Sequence, residues 1–274
     1  YVWVVTCMAE ITAVGVYVHL WLPDLPQWIS CLVALGLMTC ANLFSVKAYG
    51  EFEFWFALIK VVTIIFLIFT GVGMIVFGLG NDGIPVGISN LTEHGGFLPH
   101  GIGGVFDTML MVLFAYVGIE IIGVTAGEAA DPEKNLSAAI DKVLYRILLF
   151  YVLALLIIMS IYPWDQLGHQ GSPFVMVFEK LGITAAGHVI NFVVITAALS
   201  SCNSGIYSTG RMLYNLSLQG KAPKMFSAVS SNKVPYKALG VSVVFMLIGV
   251  VLNYFLPATV FEIITSVSAF ACMV

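Results

Sequence analysis

Three ionisable side chains, Glu10, Lys60 and Glu120, are embedded in long runs of apolar residues. Ionisable groups inside membrane-crossing helices are energetically costly, and they commonly mark substrate sites, ion pathways or proton relays. Their residue types suit two kinds of chemistry, which are holding a polar substrate and carrying a proton. These three residues are therefore the first candidates for function.

Glu10 lies near the middle of the first apolar run, between Ala9 and Ile11. An ionised carboxylate in that environment needs a partner, or it takes up a proton. The residues alone leave two interpretations open. Glu10 either binds a substrate or a proton directly, or it holds a helix bundle together as a paired or protonated group.

Lys60 lies about seven residues, or ~10 Å of helix, inside an apolar run that begins near residue 53. A lysine in an apolar environment loses its proton more readily, so it could load and release a proton during a transport cycle. Its long side chain could instead extend to the membrane surface, which would leave it with no special role. The residues alone do not decide between coupling and extension.

Glu120 belongs to the glycine-containing stretch 113–128, which also holds Gly118, Gly123 and Gly127. Small residues in membrane helices commonly serve close helix packing. The alternative is a discontinuous helix, whose freed backbone groups can hold the carboxylate and the ammonium of an amino acid. An acid and aromatic residues beside the glycines favour this second interpretation.

A fourth candidate is the stretch 197–205, where small and hydroxyl residues surround an asparagine. Ser201, Asn203 and Gly205 could line a polar cavity. They could equally form interhelical hydrogen bonds that hold a bundle together. Both interpretations remain open on the residues alone.

The composition indicates what must position these residues. The chain has 274 residues, of which 60% are hydrophobic and only 9% charged, and its mean hydropathy is +1.00. Soluble domains use roughly 25% charged residues, so a soluble domain is excluded. Membrane-crossing helices need about 20 apolar residues. The pattern predicts eight spans in one transmembrane domain over 1–274, at about 1–22, 28–46, 53–79, 104–126, 144–163, 187–209, 238–256 and 259–274.

The basic residues predict an orientation. With this span count only Lys180 falls on the side opposite residue 1, and the other ten of the eleven Lys and Arg residues fall on the residue-1 side or in the nearer half of a span. The positive-inside rule then makes the residue-1 side, with loops 127–143 and 210–237, cytoplasmic. The chain also begins and ends within apolar runs, which predicts a piece of a longer protein.

Four stretches, 10–15, 50–61, 114–134 and 203–223, resemble bacterial amino-acid permeases of the amino acid–polyamine–organocation superfamily. The resemblance covers essentially the whole chain, with the stretches in family order. It implies an all-α, polytopic transmembrane helix bundle of the leucine-transporter type, with inverted repeats. The eight spans would be the family's third to tenth helices. Because the first two helices would be absent, the chain alone should not transport.

The resemblance also implies roles for individual residues. Most of them would bind the substrate, two would couple transport to protons, and two would line the cavity. The implied substrate-binding residues are Phe114, Ala115, Tyr116, Val117 and Gly118 in an unwound segment, with Glu120, Thr6 and Glu10; the proton-coupling residues are Lys60 and Ser201; and the cavity-lining residues are Asn203 and Gly205.

The function expected from these observations is secondary active import of an amino acid across the plasma (inner) membrane by proton symport. The substrate is expected to be neutral, of the threonine, serine or proline type. The proton gradient replaces any cofactor, and the expected partners are substrate, proton and lipid bilayer, without nucleic acid. Exchange instead of symport stays open, as does the oligomeric state. A membrane-embedded enzyme or a channel using the intramembrane Glu and Lys residues is the alternative, although the sequence lacks an HExxH pattern and a repeated filter loop.

Overall fold

The computed structural model describes residues 1–44, 46–116, 118–119, 122, 132–167, 173–183, 185–257 and 259–271. Over these ranges the regular secondary structure is entirely helical, and no strand occurs in them. This confirms the prediction of an all-α, polytopic helical fold.

Ten α-helices are described, and three of the connections between them contain a short 3-10 turn. The helices are α1 (Val2–His19), α2 (Gln27–Phe44), α3 (Val46–Phe77), α4 (Gly101–Ala115), α5 (Pro132–Arg146), α6 (Ala154–Ile161), α7 (Pro173–Lys180), α8 (Ala186–Leu218), α9 (Tyr236–Phe255) and α10 (Val260–Ala271). A π-helical stretch, Ile147–Leu153, joins α5 to α6. The 3-10 turns are Ser89–Leu91, Trp164–Gln166 and Lys224–Ser227.

Six helical stretches among the described residues are long and apolar enough to cross a membrane. They are Val2–His19, Gln27–Phe44, Gly50–Phe77, Ala139–Ile161, Ala186–Leu218 and Tyr236–Phe255. The remaining two predicted spans overlap α4 and α10, which have 15 and 12 residues.

The predicted loops 127–143 and 210–237 need correction, because helices occupy part of each. Helix α5 begins at Pro132, inside the first loop, and helix α8 continues to Leu218, inside the second. Proline suits the first position of a helix, and the residues after Pro132 are mostly good helix formers. Helix α8 continues past the predicted span end at residue 209, because a helix can extend beyond the bilayer.

The chain divides into two units. The first comprises residues 1–58, 110–124 and 194–274, and the second comprises residues 59–109 and 125–193. In the first unit α1 is the central element, since its side chains pack on three neighbouring helices. Ile11 contributes to a core with α2, α8 and α9, Met8 packs with α10, and Val14 packs with α2 and α8.

The second unit is held by contacts of α3 and α6 with the segments around them. Phe66 stacks on Phe178 of α7 with ring centroids 5.6 Å apart. The Asn90 side chain donates a hydrogen bond of 2.9 Å to the carbonyl of Ser160 at the end of α6. Tyr162, just beyond α6, donates from its hydroxyl to the Met176 carbonyl at 3.0 Å, and burial, followed by the charge of Glu179, raises the Tyr162 pKa.

Candidate substrate site

One face of α1 carries Trp3, Cys7 and Glu10. Residues four and then three positions apart lie above one another on an α-helix, so these three side chains point in a common direction. Trp3 and Cys7 are buried and Glu10 is half-buried. The predicted site residue Glu10 therefore belongs to a stripe that runs along the buried side of α1.

Helix α8 packs against this face in the antiparallel direction. The Cys7 thiol donates to the Cys202 carbonyl at 3.5 Å, while Val14, two turns further along α1, packs with Ile195 and Ala198. Residues later in α1 thus meet residues earlier in α8. Glu10 lies between these two levels, and the register places it level with residues 198–202 of α8, the turn that carries Ser201.

Gly205 is a point of close approach between the two helices. A Cβ atom added at Gly205 would overlap the Cys7 Sγ atom and would lie 3.4 Å from the Trp3 side chain. Small residues allow this close approach of helix backbones in membranes. The predicted cavity residue Gly205 therefore faces the Trp3–Cys7–Glu10 stripe.

The described backbone leaves the helical conformation after Ala115. Tyr116, Gly118 and Ile119 form turns, and Gly118 has φ +105°, a conformation that residues with side chains rarely adopt. The atom nearest to a Cβ added at Gly118 is the Trp3 Cη2, at 3.8 Å. Trp3 consequently lies beside Gly118 as well as Gly205, so one side chain adjoins both predicted site glycines.

Trp3 was not among the residues predicted for the site. In the sequence it belongs to an apolar run at the beginning of the chain. Its spacing from Cys7 and Glu10, four and seven residues, is a signal that could have identified it, because that spacing places all three on one helical face. An aromatic residue on the same face as an intramembrane acid is a candidate wall of a substrate cavity.

Two predicted residues make helix-to-helix hydrogen bonds. The hydroxyls of Thr6 and Ser268 are 2.9 Å apart and buried, which links α1 to α10. The Asn42 side chain donates to Asn203 Oδ1 at 2.8 Å, which links α2 to α8. Asn203 contacts α2 and Gly205 contacts α1, and their role in lining a cavity stays a prediction.

Glu53 is a further acid that sequence reasoning did not select. Its Oε1 atom accepts a hydrogen bond of 2.6 Å from the Ser200 hydroxyl, which links α3 to α8 within the first unit. Its Oε2 atom is buried and has no hydrogen-bond partner among the described residues. In the sequence, Glu53 stands at the beginning of an apolar run, and this position predicts a span boundary rather than a buried hydrogen-bonding acid.

A polar network on the other side of α1 was also missed. Gln27 donates to Asn253 Oδ1 at 2.6 Å, and Asn253 donates to Thr12 Oγ1 at 2.7 Å. The Thr12 hydroxyl in turn donates to the Met8 carbonyl at 2.7 Å. This chain of hydrogen bonds joins α1, α2 and α9.

Lys60 belongs to the second unit and is half-buried on α3. One turn later, Thr63 lines an apolar cavity of about 190 Å³ between α3, α7 and the beginning of α8. Ser201 belongs to the first unit, and its predicted pairing with Lys60 stays a prediction. Of the other predicted residues, Phe114 and Ala115 are the last residues of α4, while Val117 and Glu120 lie outside the described residues.

Comparison with known proteins identifies the family. The amino acid permease family model matches residues 1–274. The chain is 58% identical over 273 residues to YtnA of Bacillus subtilis (strain 168), an uncharacterised amino acid permease, covering 100% of this chain and 59% of YtnA. It is 52% identical to YbxG of the same organism, a probable threonine/serine transporter, over 99% of this chain and 59% of YbxG.

A more distant relative is the D-serine/D-alanine/glycine transporter of Escherichia coli (strain K12), with 44% identity over 99% of this chain and 58% of that protein. The chain thus spans about 59% of the length of the curated relatives that it matches. These matches confirm the family predicted from the four sequence stretches. The chain belongs to the amino acid permease family.

Proposed function

We propose that this protein, at the full length of its relatives, imports an amino acid across the plasma membrane by proton symport. The observation that carries the proposal is the arrangement around Trp3. The turn at Gly118, three residues after the end of α4, and the close approach at Gly205 both adjoin this one side chain, and Glu10 lies on the same face of α1.

The chemistry of an amino acid fits this arrangement. A helix end leaves backbone groups outside the intrahelical hydrogen-bond ladder. The carboxyl-terminal end of a helix carries a partial negative charge that favours an ammonium group, and freed N–H groups favour a carboxylate. The end of the helix at Ala115 therefore supports recognition of the ammonium and carboxylate groups of the substrate. The Glu10 carboxyl supports recognition of a polar or positively charged group.

The substrate that this site suits best is a small neutral amino acid. The Trp3 indole occupies the space beside both glycines, so a bulky substrate side chain would compete with it. Two of the relatives bear names that include threonine, serine, alanine or glycine as transported substrates. These names support small amino acids, including serine and threonine, over proline.

We propose Lys60 and Ser201 as the proton-coupling residues, as the family resemblance implies. Lys60 is half-buried on a helix that is apolar enough to cross the membrane, and a lysine held in such surroundings can exchange a proton. The bias of basic residues toward the residue-1 side supports a cytoplasmic location for that side. Import then uses the proton gradient directed into the cell.

The experiment is uptake of radiolabelled serine, threonine, alanine and proline into vesicles that contain the full-length protein, with and without an inward proton gradient. We expect the gradient to drive accumulation of serine or threonine. Absence of accumulation of every amino acid would contradict transport, and accumulation that ignores the gradient would contradict symport.

The same vesicles test the coupling residue. Lys60→Ala is expected to abolish gradient-driven accumulation and to leave substrate binding or exchange partly intact, because only the proton carrier is lost. Lys180→Ala, which removes a lysine outside the spans, is the matched control and should behave as the wild type. Gradient-driven accumulation by Lys60→Ala at the wild-type level would remove Lys60 from the mechanism.

A further inference from the structure

The connection between α8 and α9, with the first two residues of α9, forms a strongly basic surface. We name residues 219–237 the basic connector. It contains Lys221, Lys224, Lys233 and Lys237, and all four side chains are exposed. The sequence holds no Asp or Glu between Glu179 and Glu262. The basic connector therefore has no acidic residue of its own to neutralise its four positive charges.

The backbone of the basic connector is tied to the helices around it. The Ser217 hydroxyl donates to the Pro223 carbonyl at 2.9 Å, and Asn232 donates to the Phe44 carbonyl at the end of α2 at 2.7 Å. Val234 is buried in the core of the first unit. The backbone that carries the lysines is consequently fixed before a partner binds. Binding therefore costs little backbone conformational entropy.

Arg211 has a different role from these lysines, although it lies close to them. Its guanidinium donates to the Lys233 carbonyl at 3.1 Å and lies 5.0 Å from the centre of the Tyr207 ring. The hydrogen bond ties the connector to α8, and the Tyr207 ring contact lies within α8. The charges available to an external anion are therefore those of the four lysines.

Exposed apolar side chains lie among the lysines of the basic connector. Met225, Val229 and Tyr236 expose 51%, 46% and 43% of their surface, and Met225 directly follows Lys224. Lysines beside exposed apolar residues are the pattern of segments that lie at a membrane interface, with apolar groups at the acyl boundary and charges among the headgroups. A soluble polyanion would use the charges but would leave these apolar groups in water.

The neighbouring helices place the connector at such an interface. Both α8 and α9 are long and apolar enough to cross a membrane, so the segment that joins them emerges at a membrane surface. Phosphate groups of lipids are the anions available at that surface. Clusters of four or more basic residues beside a membrane helix are typical of attraction to anionic lipid.

From the charge, the fixed backbone and the exposed apolar residues, we infer that the basic connector is a binding surface for anionic phospholipid headgroups. Each lysine near an anionic surface contributes roughly a fivefold increase in affinity. Three of them together should contribute on the order of 100-fold. The inference does not depend on the transported substrate or on proton coupling.

The test measures lipid bound to the full-length protein, purified in an uncharged detergent and titrated with phosphatidylglycerol or phosphatidylcholine, by native mass spectrometry. The wild type should bind phosphatidylglycerol preferentially. The triple variant Lys221→Gln, Lys224→Gln and Lys233→Gln should lose this preference by on the order of 100-fold. The matched control, Lys142→Gln with Arg146→Gln and Lys180→Gln, removes the same charge elsewhere and should retain it.

Replacement of the same three lysines by arginine should keep the preference, since the charge is kept. An unchanged preference in the glutamine triple variant would overturn the inference, and so would an equal loss in the control, which would indicate net charge alone. Displacement of phosphatidylglycerol by inorganic phosphate, beyond that by chloride at equal ionic strength, would assign the surface to free phosphate and overturn the lipid assignment. Tighter binding of a soluble acidic peptide than of phosphatidylglycerol would assign the surface to a protein partner and would equally overturn it.

Discussion

The two sides of α8 in the first unit are built from different contacts. Toward α1, Gly205 and Cys202 meet the Trp3–Cys7–Glu10 stripe through close packing, with one weak thiol hydrogen bond of 3.5 Å. This side contains Gly205, a predicted site residue, and adjoins the non-helical turn at Gly118.

Toward α2 and α3, α8 is joined by short hydrogen bonds between polar side chains. Ser200 donates to Glu53 at 2.6 Å, and Asn42 donates to Asn203 at 2.8 Å. Polar groups that already bind a neighbouring helix are less available to a substrate. The difference supports a division in which the polar side of α8 serves assembly of the bundle, whereas the proposed substrate site adjoins the closely packed side with small residues.

The largest effect is expected for Gly205→Leu, which fills the close contact between α1 and α8. The new side chain would overlap Cys7 Sγ and displace Trp3. We expect uptake to be lost and the free energy of unfolding, measured by denaturant unfolding in micelles, to fall by about 3 kcal/mol. Gly36→Leu in α2, where an added Cβ meets open space, is the control and should remain close to the wild type. Normal uptake by Gly205→Leu would show that the α1 side is not the substrate side.

Gly118→Leu tests the non-helical turn that lies beside Trp3 of α1. The φ of +105° costs a residue with a side chain about 1–3 kcal/mol, and the leucine would press on Trp3. Substrate affinity, measured by equilibrium binding to correctly inserted protein, should fall on the order of 100-fold, or about 2.7 kcal/mol. Gly83→Leu has a similar backbone conformation, with φ +75°, in open space and should bind normally. Wild-type affinity in Gly118→Leu would favour the packing interpretation of this glycine.

Adjacent serines separate the two sides of α8. Ser200→Ala removes the donor to Glu53 and should lower the free energy of unfolding by about 1–3 kcal/mol, because a largely covered carboxylate loses its hydrogen bond. Ser201→Ala should leave stability nearly unchanged and reduce gradient-driven uptake. Thermal unfolding in detergent and uptake are measured for both variants. The reverse outcome, with stability lost at Ser201 and retained at Ser200, would contradict the division.

The smallest effect is expected at Thr6. Thr6→Val keeps the shape of the side chain but removes its hydrogen bond to Ser268. Stability should fall by about 0.5–1.5 kcal/mol, the usual net value of one hydrogen bond, while the substrate affinity stays the same. A weakened affinity with unchanged stability would instead support the substrate-binding role that the family resemblance implies for Thr6.

Much of the architecture could be predicted from the sequence. Long apolar runs identify membrane helices because burying polar backbone in lipid requires helical hydrogen bonding. The end of α4 near Gly118 lies within the stretch where glycines favoured a break. Helix boundaries outside the apolar runs are harder to predict from the sequence, because hydropathy does not detect helical segments that lie outside the bilayer. Helix α5 and the extension of α8 to Leu218 are examples.

The sequence by itself determined the family and the all-helical class, and it showed that Glu10, Lys60 and Glu120 lie within apolar runs, because each of these depends on residue types along the chain. Only the tertiary structure decided that Gly205 faces α1 while Asn203 faces α2, that Trp3 adjoins Gly118, and that Glu53 binds Ser200. The physical reason is that a helix buried in an apolar bundle is apolar all round, so its hydrophobic pattern carries little information about its rotation. Side chains of neighbouring helices set that rotation, and they also decide which small and polar residues of α8 are left to form the site.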